Sequence, residues 1–394
     1  MNIQIRQAGP DDYREIARMD GISFAASYSE EDLGDTFDVD PPRLLVATEG
    51  DRIVGATGEY RFTMTVPGGG ALDLPGVTWV SVLPTYRRRG ILRSLMQRQL
   101  SEFAAAGEPA AVLTASEGGI YRRFGYGPAT QRVKTVLDRR FANLISPVDS
   151  SAVEFVSPEA ARTRLPELHR RWRETTPGAL SRVDSWWDQL FRDREAHRGG
   201  MTEKLYLVHP DGYLAYRAAE VWDDGHPRHR CLITDYRCVT DEAHAALWQV
   251  LLGMDLFASM ESWEVPVDDP LRFLLTDSRQ LRSIAVDDGM WLRPVEVATL
   301  LAARSYQVEV EAVLQVGDQR VLLAGGPDGA SCEPTTLPAQ LELALPGLGS
   351  AYLGGYRLRT LERAGLVRGE NPGLIRQLDL AFGADRAPGY GTGF

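Results

Sequence analysis

The sequence predicts an α+β protein with two successive segments of mixed strands and helices and a third segment of different pattern. Three observations support this prediction. Short strands alternate with helices over the first 140 residues, the same order of elements recurs from about Val153, and the pattern changes from about residue 290. A chain of 394 residues is long enough for two or three domains, each with its own core.

The first segment opens with a strand over 2–7 and a helix from Pro10 to about Phe24, whose acidic first turn suits the helix dipole. An acidic stretch over 28–42 follows, containing Glu30, Glu31, Asp32, Asp35, Asp38 and Asp40. The remaining predicted elements are strands at about 43–49, 52–66 and 77–83, a helix over 90–105, a strand at 110–115, a short helix over 118–124 and a closing strand at 130–138.

The second segment repeats this order, which indicates an internal duplication. Its predicted elements are a strand at 153–156, a helix from Pro158 to about Glu174, a helix over SRVDSWWDQLFRDRE, strands at about 204–208, 213–221 and 229–238, a helix over 241–258 and a strand at 262–265. In the third segment, Gly317-Asp318 joins two alternating runs as a hairpin, and LPAQLELAL and TLERAGL are predicted to be helical. The last residues, APGYGTGF, have no periodicity.

Composition and charge exclude several classes of function. The net charge of −11, with no basic face, argues against nucleic-acid binding and favours a cationic small partner, although it is also compatible with a role in solubility alone. The three cysteines, Cys231, Cys238 and Cys332, include no C-x-x-C pair, so we expect neither a disulfide framework nor a metal site. No apolar run reaches the length of a membrane span, and no signal peptide is evident. We therefore expect a cytoplasmic protein without a membrane partner.

The strongest chemical signal is the run VSVLPTYRRRGILR, which covers residues 80–93. A buried strand ends there, a loop with basic residues and Gly90 follows, and an apolar-faced helix begins. Free N–H groups at a helix N-terminus bind anions, and a glycine allows close approach of the backbone to a phosphate. Arg88, Arg89 and Arg93 add positive charge suited to a diphosphate. An ordinary strand–helix loop with surface arginines is the alternative interpretation.

The loop has neither a Walker nor a Rossmann glycine pattern. It resembles the acyl-CoA motif R-x-x-G-x-[GA] of GNAT acetyltransferases, here Arg87 to Leu92, with leucine at the sixth position. The corresponding run of the second segment, TDYRCVTDEAHAALWQVL, lacks the glycine and places Asp241 and Glu242 at the helix start. These acids would repel a diphosphate, so the second segment is expected to fold like the first and to bind no CoA.

A second chemical signal lies in ASEGGIYRRFGYG. A strand ends there, Gly118-Gly119 form a turn, and a short helix presents Tyr121. A phenol within hydrogen-bond reach can protonate a departing thiolate as a general acid. The alternative is that Tyr121 belongs to an aromatic core cluster with Phe124 and Tyr126.

With these motifs in place, the whole chain resembles the Eis family of acetyltransferases. The resemblance rests on VSVLPTYRRRG, SEGGIYRRFGYGP and the aromatic C-terminus. It implies an active GNAT domain over 1–145, a degenerate GNAT domain over 146–288 and a sterol carrier protein-like domain over 289–394. It further implies a homohexamer that transfers acetyl from acetyl-CoA to primary amines such as aminoglycosides, polyamines or lysine-type amines.

The resemblance also implies roles for individual residues. Tyr121 corresponds to the general acid, and the terminal carboxylate of Phe394 corresponds to the general base. The residues expected to contact acetyl-CoA are Val80, Ser81, Val82, Arg88, Arg89, Gly90, Ile91, Leu92, Arg93, Ser116 and Glu117. No metal is expected.

A terminal base is also chemically reasonable, because an α-carboxylate is ionised at neutral pH and can take a proton from an ammonium group. A frayed tail is the ordinary alternative. The acidic stretch over 28–42 either lines the amine pocket or is a solvated loop. Two further classes of function compete with the transferase: a lipid or sterol carrier that uses the third segment, and a CoA-binding regulator without transferase activity.

Overall fold

The computed structural model describes residues 3–38 and 42–394. Up to residue 129 the helices and strands are β1 (Ile3–Gln7), α1 (Tyr13–Phe24), α2 (Glu30–Leu33), β2 (Arg43–Glu49), β3 (Arg52–Thr65), β4 (Ala71–Val82), α3 (Ile91–Ala105), β5 (Ala110–Thr114), α4 (Gly118–Tyr121) and β6 (Gly127–Pro128).

From residue 130 to 289 they are β7 (Gln131–Asp138), β8 (Glu154–Val156), α5 (Pro158–Thr175), α6 (Asp184–Phe191), β9 (Leu205–His209), β10 (Gly212–Ala219), β11 (Trp222–Asp223), β12 (His226–Pro227), β13 (His229–Cys238), α7 (Asp241–Leu252), β14 (Phe257–Val265), α8 (Leu271–Leu274) and β15 (Leu281–Asp288).

The remaining elements are β16 (Met290–Pro294), α9 (Val297–Ala302), β17 (Val310–Val316), β18 (Gln319–Gly326), β19 (Gly329–Pro334), β20 (Leu341–Leu343), α10 (Leu345–Ala351), α11 (Leu358–Arg363), β21 (Val367–Arg368) and α12 (Pro372–Ala381). Short 3-10 turns occur between several of these elements.

The chain forms two compact units. The larger unit contains Met1–Ala129, Met290–Ala384 and Thr392–Phe394, and the smaller unit contains Thr130–Gly289 and Asp385–Gly391. The final ten residues are therefore divided between the two units, with the change after Gly391.

The larger unit contains a seven-stranded sheet in the order β1-β2-β3-β4-β5-β16-β6. Its neighbouring strands are antiparallel except for β4 and β5, which run parallel. Ile16 of α1 and Leu95 of α3 are buried in one apolar cluster with Val46 and Val54 of the sheet. The helical spacing of apolar residues in α1 and α3 therefore fixes how both helices pack on the strands.

A five-stranded sheet in the order β19-β18-β17-β20-β21 completes the larger unit. The predicted hairpin is confirmed, since Val316 pairs with Gln319 across Gly317-Asp318. The prediction that LPAQLELAL is helical is wrong over its centre. Leu341 and Leu343 there point into the core on alternate positions and form β20, which pairs parallel with β17. The tertiary pairing partner decides the structure of so short an apolar run.

The smaller unit contains a second seven-stranded sheet, in the order β15-β7-β14-β13-β10-β9-β8. Here the structure corrects the sequence interpretation, because β7 does not close the first segment. It lies between β14 and β15 and pairs antiparallel with both. The place that β7 was expected to occupy is taken by β16, which pairs with β5 and β6 and was not predicted. Alternation identifies a strand, whereas long-range pairing selects its sheet.

Candidate active site

The site lies where two parallel strands of the larger unit, β4 and β5, separate from each other. β4 and β5 are paired only at Gly76–Val112 and Val77–Leu113. Beyond that point the pairing of β4 with β3 is shifted by a bulge opposite Thr57, and Trp79 adopts a φ of 52°. A bulge bends its strand and increases its twist. The last residues of β4 therefore stay paired with β3 while their other edge is not paired with β5.

A cleft of about 950 Å³ opens at this place. Most of the residues that the sequence assigned to acetyl-CoA line it, together with Tyr121: Val80, Ser81, Val82, Arg88, Gly90, Ile91, Leu92, Arg93, Ser116 and Glu117. Arg89 is not among the lining residues, because its guanidinium lies 4.9 Å from the ring centroid of Tyr86. Two stretches that are distant in sequence, 80–93 and 116–121, are thus brought to one cleft.

The loop before α3 leaves an open helix N-terminus. Gly90 is the N-cap residue of this 15-residue helix, has a φ of 85°, and makes no side-chain cap. Arg88, immediately before it, also has a positive φ, of 63°. A Cβ added at Gly90 would meet nothing within 4 Å, so glycine is needed for its backbone conformation rather than for lack of room. The N–H groups of the first turn remain available to an anion.

Tyr121 ends the short helix α4 at the wall of this cleft. Its side chain is only 5% exposed and packs edge-on to Tyr126, with 6.1 Å between ring centroids. Burial, with a smaller effect of Glu117, raises the pKa of Tyr121 to about 12. The phenol is consequently protonated throughout the neutral range and is suited to donate a proton. Tyr121 therefore combines membership of the aromatic cluster with a place in the cleft wall.

The C-terminal residue lies at the end of β5, in the same unit. The Thr114 hydroxyl donates a hydrogen bond of 3.2 Å to the Phe394 terminal oxygen. The Phe394 ring packs on Phe62, with 4.8 Å between centroids, and a Cβ added at Gly76 would lie 2.8 Å from that ring. The chain that leaves β5 continues to Tyr121. The tail is thus ordered at the strand end that leads to the candidate acid.

Several residues of the site were missed by sequence reasoning. Ser23, Phe24 and Ala25 at the end of α1 line the cleft, and the Ser23 hydroxyl lies 3.4 Å from the Val82 carbonyl oxygen. Thr114 and Phe62, which hold the tail, were also missed. Neither group has a motif, since a helix end and a strand end acquire these positions only through tertiary packing.

The acidic stretch over 28–42 is used locally where the structure describes it. Asp32 forms a capping box with Ser29, and the carboxylate of Glu30 pairs with Arg14 at 2.5 Å. No residue of 28–38 is among the described residues that line the cleft. Asp40 lies outside the described residues, as do the side chains of Asp35 and Asp38. The described part of the stretch includes the helix α2 (Glu30–Leu33), and its role toward an amine stays open.

The corresponding helix of the smaller unit has a closed N-terminus. Thr240 is the N-cap of α7, and its hydroxyl accepts a hydrogen bond of 3.2 Å from the Ala243 N–H. Asp241 and Glu242 occupy the first turn and already complement the helix dipole. Within this first turn one N–H group is therefore already satisfied by the N-cap, and two side chains are acidic.

Within residues 3–38 and 42–394, no group of three or more His, Cys, Asp or Glu side chains is arranged to hold a metal ion. In the same part of the chain, no helix has the length and apolar character needed to cross a membrane.

Comparison with known proteins agrees with this architecture. Residues 4–129 and 178–294 each match a family model described as an acetyltransferase (GNAT) domain, and residues 297–390 match a sterol carrier protein domain. The chain is 39% identical over 348 residues to N-acetyltransferase Eis of Mycobacterium tuberculosis and of Mycobacterium bovis, covering 86% of this chain and 85% of each relative. The chain belongs to the Eis family of GNAT N-acetyltransferases.

Solved structures agree with the family and the fold assigned to this chain. Eis1 from Mycobacterium abscessus superposes with a TM-score of 0.88 at 32% identity, with both chains fully covered. A GCN5-related N-acetyltransferase from Anabaena variabilis has a TM-score of 0.86 at 20% identity, again over both full chains, and shows the shared fold. The expected fold class, tandem GNAT domains followed by a sterol carrier protein-like domain, is confirmed.

The open N-terminus of α3 predicts a specific effect of Gly90→Val. Valine at a φ of 85° is strained and adds a branched side chain at the anion site, so the KM for acetyl-CoA should rise at least about 10-fold. Gly107→Val is the matched control, since Gly107 also has a positive φ, of 71°, and open space around its Cβ. Both variants should lose roughly 1–2 kcal/mol of stability. Equal affinities for CoA in calorimetry of both variants would remove the loop from the site.

The closed N-terminus of α7 predicts that the double variant Asp241→Ala, Glu242→Ala keeps the acetyl-CoA kinetics of the parent. The only expected effect is a small loss of stability, about 0.3–1 kcal/mol for each helix-dipole contact removed. Titration calorimetry should give one CoA per chain for the parent and the variant. A stoichiometry of two would show that the smaller unit retains a working cofactor site.

Proposed function

We propose that the protein transfers an acetyl group from acetyl-CoA to a primary amine by direct attack in a ternary complex, with Tyr121 as general acid and the α-carboxylate of Phe394 as general base. The observation that carries this proposal is the convergence, in one unit, of the anion-binding loop, Tyr121 and an ordered C-terminus. Membership of the N-acetyltransferase family supplies the reaction class.

The cleft fits the parts of acetyl-CoA in order. The diphosphate would lie at the N-terminus of α3, where Gly90, Arg88 and Arg93 line the cleft. The unpaired edge of Val80–Val82 can hydrogen-bond an extended pantetheine arm as an added strand would. Backbone N–H groups of the same edge would polarise the thioester carbonyl. The acetyl end is then directed toward the strand ends at which Tyr121 and Phe394 are placed.

Proton transfer sets the order of the chemistry. The Phe394 carboxylate accepts a proton from the substrate ammonium, directly or through one water, which frees the nitrogen lone pair. The nitrogen forms a bond to the acetyl carbon, and the carbon–sulfur bond breaks. Tyr121 gives its proton to the leaving sulfur, which would otherwise depart as a thiolate. The nitrogen is cationic after the attack and loses a second proton as the neutral amide forms. That proton restores Tyr121 through solvent, and the proton held at Phe394 leaves to solvent, so each turnover releases one proton.

The substrate class follows from charge and from the proposed base. A net charge of −11 favours a cationic amine, and a carboxylate base binds the ammonium form before it deprotonates it. Polyamines, aminoglycosides and lysine-containing peptides are the classes to compare by thiol release from acetyl-CoA. The proposal retains self-association as a homohexamer, for which sedimentation analysis is the direct measurement.

The carrier alternative receives no support from the centre of the sterol carrier protein-like domain. Arg304, only 1% exposed, lies within this domain with its guanidinium 4.7 Å from the Tyr306 ring centroid and 4.9 Å from that of Phe382. A buried guanidinium is a poor neighbour for a sterol or acyl chain. Binding of acetyl-CoA without any thiol release would instead favour the regulator alternative.

The role of Tyr121 predicts that Tyr121→Phe lowers kcat by about 10²-fold or more while the KM for acetyl-CoA stays unchanged. Tyr126→Phe is the matched control, because Tyr126 is fully buried next to Tyr121 and is not among the described residues of the cleft wall. With a pKa of about 12, Tyr121 stays protonated well above pH 10, so its loss of proton should not limit kcat below that pH. Equal kcat values for the two variants would assign Tyr121 to packing alone.

The terminal base predicts that deletion of Phe394 abolishes most turnover. One residue fewer moves the carboxylate by up to about 3.5 Å, beyond hydrogen-bond reach of the amine. C-terminal amidation keeps the length and removes the charge, and it should have the same effect. Phe394→Leu retains the carboxylate and loses only the ring contact with Phe62, so it should cost less. Wild-type kcat in the amidated enzyme, at saturating amine, would exclude the terminal base.

A further inference from the structure

Two residues of β16 contact the two ends of the short segment that presents Tyr121, and all of these residues belong to the larger unit. At the start of the segment, a Cβ added to Gly118 would lie 3.5 Å from the Trp291 ring. At its end, the Nε of Arg293 donates a hydrogen bond of 2.7 Å to the Phe124 carbonyl. Residues two apart on a strand point to the same face, so one face of β16 supports both ends of the segment.

The hydrogen bonds of the Arg293 guanidinium go to two backbone carbonyls. Besides the bond to Phe124, Nη1 donates to the carbonyl of Pro294 at 3.1 Å. Burial lowers the pKa of this guanidinium, and the nearby Tyr126 and Asp318 offset only part of that effect. An arginine is therefore kept here against a cost of burial, and the carbonyls that it satisfies account for its presence.

The backbone that follows Tyr121 turns at Gly125, directly against Arg293. Gly125 has a φ of 89°, and a Cβ added there would lie 3.3 Å from the Arg293 Nε and 3.2 Å from the Leu345 Cδ1. The next residue closes the turn, because the Tyr126 N–H donates to the Tyr121 carbonyl at 3.3 Å. The turn is thus closed by its own backbone and contacted from outside by Arg293 and Leu345.

The sterol carrier protein-like domain packs behind this turn through α10, which begins at Leu345. The helix lies directly on β6 and β16. A Cβ added to Gly127 of β6 would collide with the Pro346 carbonyl oxygen, and one added to Gly349 of α10 would collide with the carbonyl oxygen of Leu292. Backbone contacts as close as these require glycine on both sides. The turn after Tyr121 therefore has a closely packed helix behind it.

We propose that Arg293 is a positioning residue, which holds the turn after Tyr121 through the Phe124 carbonyl and so sets where the Tyr121 phenol lies in the cleft wall. This inference rests on the proposed role of Tyr121 as general acid. A general acid must lie within hydrogen-bond reach of the leaving atom. The helix that carries Tyr121 has only four residues, and so short a helix is not stable by itself, so contacts from outside must fix it. The sterol carrier protein-like domain then takes part through α10, which packs behind the turn.

A role in stability alone explains Arg293 less well. Removing a charge from water costs desolvation energy, and an apolar side chain of similar length could pack against Leu345 without that cost. An apolar side chain, however, could not donate to the Phe124 carbonyl. Replacement of Arg293 by such a side chain should therefore change stability little, whereas the turn would lose the bond that fixes its position.

The test is a pair of double-mutant cycles with Tyr121→Phe on the full-length protein. Arg293→Met removes the donor and keeps a long side chain, and Arg293→Lys keeps a donor. Gly125→Ala displaces the turn while leaving the arginine in place. Gly107→Ala is its matched control, since Gly107 also has a positive φ, of 71°, and open space around its added Cβ. Melting temperature and CoA affinity are recorded for every protein, and kcat and KM are measured with one saturating amine.

We expect Arg293→Met and Gly125→Ala each to lower kcat by about 10²-fold with the KM for acetyl-CoA unchanged, since an ångström of misplacement has that effect. Arg293→Lys should recover at least about five-fold of the loss, because its ammonium group can still donate to a carbonyl. Combined with Tyr121→Phe, neither change should cost more than about a further two-fold, because the hydroxyl that they position is already gone. Gly107→Ala should keep the wild-type kcat.

Three results would overturn the inference, and they differ from one another. If Tyr121→Phe lowers kcat and Arg293→Met does not, the acid stands and Arg293 does not position it. An equal loss with and without the Tyr121 hydroxyl, or no recovery in Arg293→Lys, would assign Arg293 a purely structural role. Wild-type kcat in Tyr121→Phe would remove the proposed acid itself, and the positioning role with it. If Arg293→Met does not fold, Gly125→Ala against Gly107→Ala decides by the same criteria.

Discussion

The parting of β4 from β5 beyond Val77 is the constraint on which the active site depends. Two parallel strands that stayed paired would bury their edges in each other and leave no place for a ligand. The bulge at Trp79 turns the end of β4 away while β3 continues to hold it. The same parting places the loop before α3, and with it the uncapped helix N-terminus, beside the chain that leaves β5 for Tyr121. One irregularity in one strand thus brings together the loop proposed to bind the cofactor and the proposed acid, Tyr121.

The smaller unit contains a comparable arrangement of strands, followed by a different helix start. β13 and β14 also run parallel and are paired only up to Ile233, although β13 continues to Cys238. The helix that follows is capped by Thr240, whereas the N-cap residue of α3 is Gly90. A hydroxyl that satisfies an N–H group of the first turn takes the place of an external anion. The two units therefore differ at the start of this helix in the groups that they offer to an anion.

The sequence predicts local structure well, because local structure depends on neighbouring residues. The spacing around Gly90 and the turn before Tyr121 identify most of the cleft wall. The pairing between strands that are distant in sequence is harder to predict from the sequence. β7 has the alternation of apolar and polar residues that any half-buried strand has. Its sequence does not determine that its partners are β14 and β15 rather than β5. The strand in LPAQLELAL was missed for the same reason, since β17 determines it. The residues that hold the tail carry no motif at all.

A base at the chain terminus changes what the rest of the protein must supply. A side-chain carboxylate is placed by its own helix or strand, whereas an α-carboxylate depends on the path of the whole tail. Fixing one residue of flexible backbone costs about 1–2 kcal/mol, so several residues of ordered tail need many contacts to offset that cost. In the larger unit, the hydrogen bond from the Thr114 hydroxyl to the Phe394 terminal oxygen and the packing of Phe394 on Phe62 are two such contacts. The ring of the last residue then matters as much as its charge. The Phe394 ring packs on Phe62, and a Cβ added at Gly76 would lie 2.8 Å from it, so the close packing of the ring restrains the residue that bears the proposed base.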